Sequence, residues 1–364
     1  MRRVNTPDLL PGMVAAEDVY TFNSQLIIPK GYTLSDKSIT RLEYYSITSI
    51  RVEDYDPDAL RNDNIRPEND VEEWPFSRTI RNSPEFKEYQ ENFETSLVIF
   101  RDTLNDIVEK GSIIDTDSLF QQTISLLTTS LGSVNFFNML HNMRQYDDLT
   151  FAHCMNVSLI CHVFSGWLNL SSADREIVTV AGMLHDIGKL AIPDDILKKP
   201  ARLTDDEYRV IKTHTVKGYD FLKDQDINEH IKTAALMHHE RCDGSGYPLG
   251  LTEAKIDRYA KIVAIADVYD AMTAARVYRG PLCPFAVIDV FEKEGFQKYD
   301  ANYIYTFLSN IVMTYIHNRV RLNNGKIGDI IYINKMYLSR PMIQCSDEFI
   351  DLSERPELFI EAIL

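Results

Sequence analysis

The stretch His238-His239-Glu240-Arg241-Cys242-Asp243-Gly244-Ser245-Gly246-Tyr247-Pro248 carries two adjacent imidazoles into a glycine-rich turn closed by Tyr-Pro. Neighbouring side chains on a helix diverge by about 100°, so a regular helix would leave one of the pair to solvent. Use of both calls for more than one metal ion, or for a metal together with the groups that orient its ligands. A second stretch, Met183-Leu184-His185-Asp186-Ile187-Gly188-Lys189, sets an imidazole and a carboxylate side by side at the end of an apolar helical run. Asp186 can bridge two cations through its two oxygens, while His185 offers one of them a nitrogen. His153, His214 and Asp267 fall on separate expected helices. Three nitrogen or oxygen ligands per metal, with a position open to water, is what a hydrolytic metal site requires.

These residues can meet only if their helices converge. From Thr116 to about Tyr299 helical patterns run almost without interruption, with start signals at Ser171/Asp174 and in the capping box Thr204-Asp-Asp-Glu207. An all-α bundle with ligands pointing inward is therefore expected. Ahead of it, Ser83-Pro84-Glu85 reads as a helix start. Phe86, Phe93, Leu97, Phe100, Leu104 and Ile107 then recur at helical spacing before Gly111. Periodicity does not separate a stripe buried within one chain from one buried between two copies, so a homodimer through residues 84–110 stays open.

The ends read differently. Val14–Val19, Gln25–Ile28 and Ile47–Val52 have strand character and Ser35–Tyr45 helical character, which makes a small β-rich module. Tyr55–Trp74 is acidic, proline-bearing and aperiodic, a linker or long surface loop. Lys326–Ile333, Pro341–Gln344, Phe349–Leu352 and Leu358–Ile363 are short β-like runs. They are expected to form a small antiparallel sheet, with or without the amino-terminal strands, since each set is small to stand alone. The fold class is thus mainly α. A module and linker (1–75), a helical connector (76–135), a helical catalytic domain (136–325) and a β extension (326–364) follow one another.

His185-Asp186 with Gly188 and Lys189, then His214, the whole His238-to-Pro248 string, and Asp267-Val-Tyr-Asp270 with Thr273, Arg276, Tyr278 and Arg279 resemble the HD-GYP phosphodiesterases of bacterial cyclic di-GMP signalling. The resemblance covers roughly residues 140 to 320, and the ordered set is far more specific than a lone His-Asp pair. It implies an HD-type bundle. His153, His185, Asp186 and Asp267 would hold one divalent metal, and His214, His238 and His239 a second, with Asp186 shared. Iron or manganese suits such a mixed donor set, and the ligand chemistry also admits zinc or nickel. The implied reaction opens cyclic di-GMP to linear pGpG, with the further step to GMP left open, by attack of a hydroxide bridging the metals.

In that reaction Asp186 and Lys189 are the catalytic candidates. Lys189, Gly246, Tyr247, Asp270, Arg276 and Arg279 are the candidates for the substrate; Asp270 and Glu240 could also support the ligands from behind. The two arginines would grip guanine or the second phosphate. Leu149 stands four residues ahead of His153, where some members carry a glutamate for a third metal. A leucine ligates nothing, so two metals are expected. Two other readings are a cyclic-dinucleotide receptor that does not cut and a hydrolase of another nucleotide, for example a mixed cyclic dinucleotide. The ligand set disfavours the first, and the Gly-Tyr-Pro loop with the arginine pair disfavours the second.

Composition narrows the partners. A formal charge of −16 argues against a nucleic-acid polymer or an anionic membrane as the main partner. An anionic substrate would have to be drawn by local charge: the metals, Lys189, Arg276 and Arg279. Five scattered cysteines without a CxxC pair fit a reducing cytoplasm. The polar start has no apolar segment of a signal peptide behind it, and no run is long enough to span a membrane.

Overall fold

A computed structural model describes residues 2–6, 9–20, 26–35, 38–39, 42, 47, 49–53, 82–130, 136–142, 149–197, 199, 203–273, 282–346 and 348–364. They divide into two compact units, Met1–Glu73 with Lys198–Thr204, and Trp74–Leu197 with Asp205–Leu364. The expected linker Tyr55–Trp74 lies outside the described residues.

In the first unit β1 (Arg2–Asn5) pairs antiparallel with β4 (Ser49–Val52), and β2 (Val19–Tyr20) with β3 (Leu26–Ile28). Val4, Leu9, Met13, Val19, Ile28, Leu34, Leu42, Ile50 and Val52 close over one small apolar core. The expected strand at Val14–Val19 is shorter than its pattern: Val14 and Ala15 make only isolated bridges, to Thr33 and Val52. Gly12 and Gly31, both at positive φ, turn the chain there.

The second unit is a helical bundle followed by a sheet. Its helices are α1 (Pro84–Lys110), α2 (Thr116–Ser130), α3 (Phe136–Asn142), α4 (Leu149–Trp167), α5 (Ser172–Leu184), α6 (Asp194–Leu197), α7 (Asp205–Lys212), α8 (His214–Leu222), α9 (Glu229–Met237), α10 (Arg258–Thr273), α11 (Pro284–Val290), α12 (Phe296–Lys298) and α13 (Ala301–Met313). Local chemistry explains their ends. Ser83 accepts from the Phe86 amide at 3.1 Å, Pro84 needs no partner in the first turn, and Gly111 closes α1 at φ 66°. Ser171 caps α5 in the same way through the Asp174 amide at 3.2 Å.

The α1 stripe is buried inside this chain, where α1 packs on α2 and α4 and Phe100 meets Phe151 edge-on. That decides between the two readings of its periodicity: these six side chains are core. At the centre stand α4, α5, α9 and α10, which pack on one another. Nearly every side chain of α10 is buried, as befits a helix surrounded by others. No described helix is long and apolar enough to cross a membrane.

The tail forms a five-stranded antiparallel sheet of its own, in the order β8-β7-β6-β5-β9 (Phe349–Asp351, Met342–Cys345, Ile327–Tyr332, Arg319–Leu322, Ile360–Ile363). The expected small antiparallel sheet is present, and among the described residues its strands pair with one another. A further strand, β5, explains why the sheet stands alone: it joins β6 to β9. Arg-Val-Arg-Leu alternates charged and apolar, with Val320 and Leu322 buried, but over four residues that pattern is too brief to register. Glu292, in a π-helical segment Phe291–Gly295, ties the sheet to the bundle by accepting from the amides of Leu338 and Ser339 at 2.5 and 3.1 Å.

Candidate metal centre

The ligand candidates sit where helices end or begin. His185 ends α5, and Asp186 follows with φ −104°, opening a short 3₁₀ helix, Ile187–Ala191. His214 begins α8, and His238 ends α9 with His239 next. His238 keeps φ −62° and ψ −18° as the residue after the last turn, and its ring centroid lies 4.2 Å from that of His239. His153 and Asp267 reach in from the middles of α4 and α10. Gly188 permits the 3₁₀ helix to lie against α8, because a Cβ there would strike the His214 carbonyl and the Gly218 backbone.

The structure brings all seven together in two groups: His153, His185 and Asp267, and Asp186, His214, His238 and His239. Asp186 faces both. Its Oδ2 lies 3.3 Å from His185 Nε2 and 3.8 Å from His153 Nε2; its Oδ1 lies 3.2 Å from His214 Nε2 and 3.6 Å from His238 Nε2. Asp267 is divided in the same way, with Oδ1 3.0 Å from His153 Nε2 and Oδ2 3.8 Å from His239 Nδ1. No reading of spacing could have shown that second bridge.

Hydrogen bonding shows what the cluster wants. His185, His214 and His238 each donate from Nδ1 to a main-chain carbonyl of their own helix or turn: Gly182 at 2.7 Å, Ile211 at 2.7 Å and Ala234 at 3.1 Å. A carbonyl only accepts, so in the neutral rings every Nε2 is a bare lone pair. These lone pairs point at each other, with His214 and His238 Nε2 3.3 Å apart, and at Asp186. His185 Nε2 and Asp186 Oδ1 are buried with no hydrogen-bond partner, although each lies near other acceptors. Acceptors crowded around a buried point with no donor between them fit divalent cations.

Charge follows the same logic. Burial pushes His214 down to about 4 against the pull of Asp186, and burial with the neighbouring His238 holds His239 well below the usual range. These rings stay neutral, as metal ligands must. For Asp186 burial opposes ionisation, but Lys189 and His185 outweigh it and keep the carboxyl far below the ordinary value. His153 differs. Burial disfavours its charge, yet hydrogen bonds to Asp267 and Asp270 prevail and raise it to about 9. Its Nε2 proton then holds the place of a cation.

The remaining candidates fall out as follows. Lys189 Nζ donates to Asp186 Oδ2, one turn on. Asp270 is buried behind His153 and accepts from its Nδ1 at 2.7 Å, so it sets the tautomer of that ring. Glu240 is buried too, and its two oxygens accept from the amides of Leu249 and Leu251 at 2.7 and 2.8 Å, clamping the loop after Pro248. Gly246 packs against the backbone of residues 239–241, where a Cβ would collide, so its need is internal to the loop. Gly244 is at φ 81°. Tyr247 stacks on His239 at 4.7 Å, and burial holds its hydroxyl neutral. Arg276, Tyr278 and Arg279 lie outside the described residues. Cys154 lies beside His185 and Asp186, but burial keeps its thiol protonated and a poor ligand. Lys212 and Tyr208, beside Tyr247, belong to no motif.

With this geometry in hand, the HD domain family model matches residues 135–303. These residues are an HD domain. A cyclic di-GMP phosphodiesterase of Pseudomonas aeruginosa is 30% identical over 236 residues, 64% of this chain and 56% of that one. The cyclic di-GMP phosphodiesterase response regulator RpfG of Xanthomonas campestris is 38% identical over 176 residues, 45% of this chain and 46% of its own. A 3′3′-cGAMP-specific phosphodiesterase of Vibrio cholerae is 39% identical over 184 residues, 50% and 42% of the two chains. The chain thus spans about half the length of the relatives it matches. An HD domain with this His/Asp cluster implies divalent metal.

Proposed function

We propose that this protein is a metal-dependent phosphodiesterase that hydrolyses cyclic di-GMP to linear pGpG, with or without further cleavage to GMP. The observation that carries the reading is the convergence of seven candidate ligand side chains, five of them buried, in two groups that both face Asp186. His153, His185 and Asp267 would hold one ion and His214, His238 and His239 the other. Iron or manganese suits three or more imidazoles with carboxylates. Such ions, when bound, supply Lewis acidity and a nucleophilic water at neutral pH.

The chain's own groups do the rest. Asp270 holds the proton on His153 Nδ1 and so presents the Nε2 lone pair. Glu240 fixes the loop that carries His239 and Tyr247. Lys189 brings an ammonium to the edge of the ligand set, where it stabilises charge on phosphoryl oxygens. Arg276 and Arg279 grip the guanines or the second phosphate. Leu149 supplies no third site, which favours two ions.

The 3′3′-cGAMP specificity named for the Vibrio cholerae relative supports a second reading, a mixed cyclic dinucleotide as substrate. Metal-loaded, anaerobically purified protein incubated with cyclic di-GMP, 3′3′-cGAMP and cyclic di-AMP, with products resolved by chromatography, separates the two. Preferential release of pGpG or GMP from cyclic di-GMP supports the first; preferential cleavage of the mixed ring supports the second. Binding without turnover of any ring would overturn both. Five free cysteines suit a cytoplasmic enzyme. A homodimer through α1 would use the face away from its buried stripe, where Val98 and Ile99 are about half exposed (48% and 49%).

A further inference from the structure

Lys212 enters no sequence motif, yet the fold brings it to the rim of the ligand cluster. It closes α7 two residues before His214. Its ammonium stands 4.6 Å from the ring centroid of Tyr208, one turn back on the same helix face, and 5.2 Å from that of Tyr247. Tyr247 in turn stacks on His239 and meets His214 edge-on at 6.5 Å. One ring therefore separates the ammonium from the second ligand group.

A lysine in the last turn of a helix is favoured by the macrodipole wherever it points. Arg209 on the same helix shows the ordinary outcome: mostly exposed and paired with Asp206 at 2.7 Å. Lys212 has no carboxylate partner among the described residues, in a chain of formal charge −16. Neighbouring cations are engaged. Lys189 is on Asp186, and Arg241 donates to the carbonyls of His238 and Glu240.

We propose that Lys212 binds the phosphate that is not being cut. This rests on the reading of the site as a cyclic-dinucleotide phosphodiesterase. Such a ring carries two phosphodiesters, and the metal cluster serves one. The other is an anion that must be held close to Asp186 and Asp267 and against the overall negative field. Lysine binds phosphate as a point charge with three rotatable donors, and here its ammonium stands over two tyrosine rings and has no acidic partner among the described residues. Arg276 and Arg279 then serve the guanines.

The test compares wild type, Lys212→Met and Lys212→Arg with cyclic di-GMP as substrate and GpG as competitive inhibitor, since GpG keeps both guanines and lacks the second phosphate. Lys212→Met is expected to raise KM for cyclic di-GMP roughly tenfold or more with kcat within about threefold, as for a lost charge-assisted contact. The inhibition constant of GpG should change several-fold less, and Lys212→Arg should recover most of the loss. Equal losses for cyclic di-GMP and GpG, or a fall in kcat alone, would overturn the assignment and leave Lys212 a packing residue. Wild-type protein without turnover of any cyclic dinucleotide would sink the reading of the site itself, a different and separable result.

Discussion

His238 and His239 share one site just past the end of α9, where His238 Nε2 faces Asp186 and His239 Nδ1 faces Asp267. Which nitrogen of such a ring faces the site is set by where the other one donates, and for His153 the acceptor is Asp270. Asp270→Asn keeps the shape and removes the charge that holds the Nδ1 proton. Metal affinity, read by competition with a chelator, is expected to fall about 10–100-fold, with activity at saturating metal falling less. Unchanged affinity would show that Asp270 does not act through His153. The seven candidate ligands were legible because an ordered motif names them. The role of Asp270 was recoverable only in part: Asp267 and Asp270 lie three residues apart, one helical face, and a single imidazole can touch both. Lys212 had no such signal, because its place depends on Tyr247 arriving from another part of the chain.

At the scale of elements, the close approach of the 3₁₀ helix to α8 is what puts Asp186 beside His214. Gly188→Ala would press a methyl group into the His214 carbonyl and the Gly218 backbone. Backbone cannot rotate away, so a loss of about 1–3 kcal/mol in denaturant unfolding, or more, is expected. Metal retention should fall with it, because the same displacement moves two ligands. A second test concerns α4 and α5. Between them His162 accepts from Arg175 at 2.9 Å through Nε2 and lies 3.1 Å from Thr179 Oγ1 through Nδ1. Burial first, and Arg175 second, lower it from 6.5 to about 4. Below pH 6.5 the unfolded chain takes up a proton that the folded one refuses, so this stabilisation is complete above 6.5 and lost as pH falls to about 4. His162→Gln should flatten that part of the acid limb in thermal unfolding, an effect of roughly 1–2 kcal/mol after solvent screening. An acid limb as steep as wild type would refute it. Helix ends were readable here since Ser83 and Ser171 cap as their spacing requires. Strands β1 and β5 were not, because Arg-Arg-Val-Asn and Arg-Val-Arg-Leu are too brief to distinguish from loop.

At the scale of the molecule the cluster is a cost that only cations relieve. Asp186, His185, His214 and His238 are each no more than 1% exposed, in the middle of the helical bundle. Without metal, two carboxylates and a set of opposed lone pairs are buried with Lys189 and a protonated His153 as substitutes. Because α4, α5, α8, α9 and α10 each contribute a ligand or stand next to one, metal binds the folded bundle and not the open chain. Linkage then requires that metal raise stability by RT ln(1 + [M]/Kd), about 2.7 kcal/mol with free metal at 100 times Kd. Dialysis against a chelator is therefore expected to lower Tm by several degrees, and titration of Fe(II) or Mn(II) to restore it in proportion to the logarithm of free metal. Asp186→Asn, which strips the group facing both ion positions, should abolish that metal dependence while leaving the helical circular dichroism in place. A Tm indifferent to chelation in the wild type would mean that the seven side chains do not hold metal, and the phosphodiesterase reading would go with them.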